Sequence, residues 1–223
     1  MESILPVVEL FSAALTKSEF KDKVGRLIQY GCRGLTGVVT DLGLDAKESV
    51  DQLKAVQGSM AEARRVGRFF KELTVAPTIL KELEEPDPIN RACTVVSKVS
   101  LVLFFVIDHV AQLQKWKFLS SETRKPADTV KLALKLFTLA HAANLVLQLK
   151  RLKEELELEG TPKYNQAKRD AAALNASKAA LLVFQGLHVS GLLETRDSLV
   201  GFAGVASSLL ELQALWPAKP KSG

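Results

Sequence analysis

A chain of 223 residues is long enough to bury a core, as one large helical domain or two small ones. Its net charge of +5 suits a polyanionic partner, and with 6% aromatic residues, most phenylalanines lying in apolar runs such as Leu103-Phe104-Phe105, anionic membrane is favoured over nucleic acid. Cys32 and Cys93 give neither a disulfide framework nor zinc spacing, which fits a reducing compartment. The start, Met1 to Pro6, has no basic leader with a long apolar core, and the end, Pro220-Lys221-Ser222-Gly223, is no peroxisomal matrix tripeptide, so neither secretion nor matrix import is expected.

Thr16-Lys17-Ser18-Glu19 has capping-box spacing, and Val24, Leu27, Ile28, Gly31, Leu35 and Val38 then recur as one face of a helix. Lys23, Arg26, Gln29, Tyr30 and Arg33 fall on its other side, while Gly31, Gly34 and Gly37 form a small-residue ridge that another helix can approach. A charged connection from Thr40 to Asp51 leads to a second helix, starting as early as Gln52, whose stretch from Met60 to Leu73 separates two chemistries. Met60, Ala63, Val66, Gly67, Phe69, Phe70 and Leu73 share one half of the helix, and Arg64, Arg65, Arg68 and Lys71 the other. On an anionic leaflet each cation contributes on the order of 1 kcal/mol while the apolar half enters the acyl boundary. The same pattern also fits packing in a soluble bundle, so this helix alone leaves both readings open.

Glu82-Leu83-Glu84-Glu85-Pro86-Asp87-Pro88 breaks the helical pattern through its prolines and divides the chain into residues 1–85, amphipathic and basic, and 86–223, hydrophobic. Ala92 to Ile107 is an apolar run of about 24 Å as a helix, against a hydrocarbon core of roughly 30 Å. Its Val, Leu, Ile and Phe residues offset the roughly +3 kcal/mol of Lys98, so a membrane span and a buried helix both remain open, with Trp116 between Lys115 and Lys117 suited to an interface. Val130 to Lys150 is amphipathic and is expected to lie on a surface or pack against neighbours rather than span. After a turn at Gly160-Thr161-Pro162, Ala171 to Leu193 forms another long helix, carrying Asn175, Gln185 and His188. Leu199 to Trp216 is the best spanning candidate, about 27 Å long. Ala203 with Ser207, and Gly204 with Ser208, have small-x-x-x-small spacing for close helix contact, and Trp216 with Lys219 and Lys221 suits an interface, whereas Glu211 opposes full crossing.

Catalysis has no foothold: His109, His141 and His188 are dispersed, no metal-ligand spacing occurs, and no serine sits in a nucleophile elbow. No metal and no cofactor are expected. Gly31, Gly34 and Gly37 follow no strand, so they form no phosphate loop, and Asn175-Ala176-Ser177 is a chance glycosylation triplet inside a helix.

Three separated blocks carry a family resemblance: Leu15 to Lys23 leading into Arg26-Leu27-Ile28-Gln29-Tyr30-Gly31, then Ala63-Arg64-Arg65-Val66-Gly67-Arg68-Phe69, then Gly201 to Pro217 with Ser207-Ser208-Leu209-Leu210 and Leu215-Trp216-Pro217. In order and spacing the chain resembles the peroxisomal biogenesis factor 11 family, least specifically between Gln112 and Leu192, and Glu211 departs from the smoother family segment. The resemblance implies an all-α, non-enzymatic protein of the peroxisomal or glycosomal membrane, both termini facing cytosol, that elongates the organelle before fission, self-associates into a homo-oligomer and recruits the fission machinery. It places membrane binding on Met60, Arg64, Arg65, Val66, Arg68, Phe69, Phe70 and Lys71, supported by Lys23, Arg26, Leu27 and Tyr30. It also suggests an alternative, a small-solute channel, for which Asn175, Gln185 and His188 would line the path.

Overall fold

The computed structural model describes Leu10 and residues 12–216, so Pro217, Lys219 and Lys221 of the expected interface, and both terminal readings, lie outside the described residues. The helices are α1 (Ser18–Asp41), α2 (Lys47–Val66), α3 (Glu72–Glu82), α4 (Pro88–Lys115), α5 (Pro126–Glu157), α6 (Gln166–Val189) and α7 (Asp197–Leu215). Among the described residues no strand occurs, and the chain is all-α. It divides into two compact units, one of residues up to Gly67 together with those from Arg196 onward, the other Arg68–Thr195.

In the first unit α1 packs against α7 and α2. The α1–α7 contact is antiparallel: Gly37 meets Ser198, Gly34 meets Gly201, Tyr30 meets Gly204, and Phe20 reaches Trp216. A Cβ on Gly201 would clash with the Gly34 backbone and one on Gly37 with the Ser198 backbone, so Gly37 on α1 and Gly201 on α7 are what let the two backbones touch, whereas a Cβ on Gly34 would make ordinary contact. The capping box is not formed: Thr16 Oγ1 donates back to the Ala13 carbonyl, and the N-cap position falls on Lys17, in extended conformation, with no side chain capping α1.

In the second unit α4 packs on α3 and α5, and α5 on α6. Asp87 caps α4 by accepting from the amides of Ile89 and Asn90, and Pro88 opens the helix where its missing N–H costs nothing. Phe104, Phe105 and Ala133 form the core, with Val75, Leu136 and Phe137 against it.

Three expectations are corrected. The helix drawn through Met60 to Leu73 is not continuous: α2 ends at Val66, Gly67 caps it, and the chain turns until α3 begins at Glu72. Phe70 sits at φ 67, a left-handed conformation that costs a residue with a side chain roughly 1–2 kcal/mol, and contacts made by Arg68 and Phe69 offset that cost. Val130 to Lys150 belongs to a 32-residue helix, which with α4 and α7 is long and apolar enough to cross a membrane by length and composition, its charged residues lying toward its two ends. The acidic stretch at Glu82–Pro88 is a bend between α3 and α4 inside the second unit, not the border between compact units, because α3 packs onto the helix that follows it.

Candidate membrane interface

Helices α4, α5 and α7 are arranged opposite to those of a water-soluble bundle. On α7 the buried side holds Ser198, Val200, Gly201, Ala203, Gly204, Ser207 and Ser208, while Leu199, Phe202 and Leu209 are each more than half exposed. On α4 the buried side includes Ser100, Asp108, His109, Gln112 and Gln114, and Val96, Val99, Leu103 and Val106 face outward. On α5, Leu139, Val146 and Leu149 are outside and Thr138 and Gln148 inside. Water would reverse this pattern; in lipid, small and polar groups pack between helices and large aliphatic ones face the tails.

The basic residues singled out in the first unit pair inward. Arg26, 5% exposed, donates to Glu211 at 2.8 Å and to Ser207 Oγ, with Lys23 Nζ 3.1 Å from the same carboxylate. Burial lowers the pKa of both from the usual values, and the Glu211 charge opposes that shift. The Arg26 guanidinium also lies 6.0 Å from the Tyr30 ring centre, and that ring fills the space left by the missing Cβ of Gly204. Arg64 donates to Asp22 at 3.0 Å and Gln29 at 2.7 Å, fastening α2 to α1, and Arg65 reaches Glu62 at 3.2 Å along its own helix. Met60 and Leu27 are half-buried, and Val66 is exposed. Glu211, which opposes insertion when α7 is read alone, is therefore held by two cations. The sequence separates these partners by 185 residues, so no local pattern joins them.

In the second unit Arg68 Nη2 donates to Asp108 at 2.9 Å, its guanidinium centre 5.4 Å from the Phe104 ring centre. Phe69 stacks between His109, at 4.4 Å, and Trp116, at 5.9 Å, and His109 Nε2 lies 3.1 Å from the Arg68 carbonyl with Glu72 3.5 Å from Nδ1. These contacts clamp the turn onto α4 and leave Phe70 outside, 67% exposed, beside half-buried Lys71. A helical projection places Phe69 and Phe70 together; the turn sends one inward and the other outward. Sequence reasoning also missed the pairing of Lys98 with Glu82, at 2.5 Å, and of Asp108 with Arg68. Two opposite charges in one apolar run, preceded by their complements in reverse order, were the available signal. Of the residues considered for a channel, Gln185 is buried and donates to the Leu181 carbonyl, His188 Nδ1 accepts from the Thr195 amide, and Asn175 is half-buried.

Residues 8–216 match the family described as Peroxisomal biogenesis factor 11 (PEX11). Two proteins of Candida boidinii are similar over nearly their whole length: Peroxisomal membrane protein PMP30B, 24% identical with 96% of this chain and 95% of that protein covered, and Peroxisomal membrane protein PMP30A, 25% identical with the same coverage. No solved structure matches. A match over almost the entire chain, on an all-α architecture with three apolar helices of spanning length, shows that the chain belongs to the Peroxisomal biogenesis factor 11 family of peroxisomal membrane biogenesis proteins.

Proposed function

We propose that the chain resides in the peroxisomal membrane, or in that of the related glycosome, with both termini facing cytosol, and that it curves and elongates that membrane ahead of fission. The observation that carries the reading is the exposed apolar pair Phe70 and Leu73 in the second unit, with Lys71 beside them in sequence. Phe70 and Leu73 are about two-thirds exposed, and Lys71 between them is half-buried. Phe70 and Leu73 enter the acyl boundary of one leaflet, Lys71 meets headgroups, and the added area on one side favours positive curvature. Arg68 serves this turn by fixing it to α4 through Asp108, and Arg64, in the first unit, fastens α2 to α1 through Asp22. Self-association into a homo-oligomer concentrates the effect, and the elongated membrane is then handed to the organelle fission machinery. No bond is made or broken.

Phe70→Gly separates fold from function. Glycine accepts the left-handed backbone, so thermal stability in detergent should be unchanged or higher, while the inserting ring is lost. Full-length protein reconstituted into vesicles containing phosphatidylinositol should draw out tubules, and the variant should draw fewer at equal incorporation. Equal tubulation by both, or none by the unaltered chain, would remove the basis of the proposal.

A further inference from the structure

We infer that residues 68–85 are the first arm of a membrane-embedded helical hairpin, entering the bilayer beside α4 with the outer face of α3 against lipid acyl chains. The inference rests on reading α4 as embedded and goes beyond the curvature role of the turn. Along this arm the partners on α4 run backward: Arg68 pairs with Asp108, Val75 packs on the cluster containing Phe104, and Glu82 pairs with Lys98. The two segments are therefore antiparallel, and α3 lies level with the apolar middle of α4.

Both ionic groups that interrupt the apolar run of α4 receive their counter-charge from this arm. An isolated α4 would carry Lys98 and Asp108 into hydrocarbon bare; with the arm alongside, each is a hydrogen-bonded pair. α3 itself is apolar on two sides. Val75 and Ile79 are half-buried, while Leu73 and Leu80 are about two-thirds exposed and Leu83 is half-exposed. One apolar face of α3 packs on α4, and the second, with Leu73, Leu80 and Leu83, is not covered by anything in its own unit. That face continues the outward row of Val99, Leu103 and Val106 on the adjoining α4, which gives it the same occupant. At 11 residues, or about 16 Å, α3 is too short to span by itself, which is the length range of segments that enter a membrane only with a partner. Its ends suit the two surfaces: Trp116 stacks on Phe69 beside Lys115 and Lys117 at one, and Glu84, Glu85 and Asp87 form the bend at the other.

The test uses the full chain with Cys32→Ser and Cys93→Ser, a single new cysteine labelled with an environment-sensitive nitrobenzoxadiazole dye, and vesicles of phosphatidylcholine and phosphatidylinositol with or without nitroxide-bearing acyl chains. Leu73→Cys and Leu80→Cys should give blue-shifted emission that the acyl-chain nitroxide quenches, as should Leu103→Cys on α4, while Glu84→Cys should give water-like emission. Water-like emission at Leu80→Cys with quenching retained at Leu103→Cys overturns the hairpin and leaves α4 embedded. Blue-shifted but unquenched emission at Leu80→Cys means that protein, such as a second copy, covers the face, and also overturns it. Water-like emission at Leu103→Cys removes the embedding of α4 as well.

Discussion

Glu211 interrupts the apolar end of α7, and its two cationic neighbours decide what it does there. A carboxylate in a low-dielectric site is costly alone, but here Arg26 and Lys23 both reach it, and Ser207 holds the other side of the guanidinium. Removing one partner of such a group costs more than the pair contributes, because the remaining charges stay buried. Glu211→Gln should therefore lower stability by roughly 3 kcal/mol, the low end for a buried pair since Glu211 retains some solvent contact. Exchanging Arg26→Glu with Glu211→Arg should recover part of that loss. Thermal unfolding of the detergent-solubilised protein measures both; a neutral Glu211→Gln would mean the cluster contributes nothing to the α1–α7 contact. Phe70 shows the opposite case, a residue held in a costly backbone conformation while its ring stays outside the core.

Among the elements, α1 and α7 are joined by backbone contact at their glycines and by side-chain pairs at either side of it, Arg26 and Lys23 with Glu211 and Phe20 with Trp216. Gly37 and Gly201 bring the helices to the distance at which Tyr30 can cover Gly204 and Ser198 Oγ can donate to Asp41. A leucine at Gly201 cannot fit without separating them, so Gly201→Leu should cost about 1–3 kcal/mol or more and release α1 from α7. Limited proteolysis should then cut within α1 where the unaltered protein resists, and unchanged resistance would contradict the packing described. Much of this level could be read from the sequence. The glycine ridge of α1, the small residues of α7, the proline-marked bend and every long helix follow from local pattern. Hidden from it were the end of α2 at Val66 and the inward turn of the arginines. A helical projection assumes an unbroken helix, and the competing partners, Asp22, Asp108 and Glu211, lie 40 to 185 residues away in sequence.

For the whole molecule, the distribution of side chains identifies the solvent. Hydroxyls, amides and ion pairs share the interiors of the two units with alanines and a few large apolar side chains such as Phe104 and Phe105, while leucine, valine and phenylalanine line the outer faces of α4, α5 and α7. Exposing that much aliphatic surface to water would cost roughly 25 cal/mol for each Å², whereas in acyl chains the cost vanishes. The length of these helices, from 19 to 32 residues, suits a bilayer, and the pairing of Lys98, Asp108 and Glu211 with partners on other segments lowers the penalty of their charges. The most direct measurement is photolabelling by a lipid-borne carbene precursor in reconstituted vesicles, read residue by residue by mass spectrometry. Adducts are predicted on Leu103, Leu139 and Phe202, and none on Ser100, Gln112 or Ser207; adducts missing from the first three, or a monodisperse protein obtained without detergent, would contradict the account.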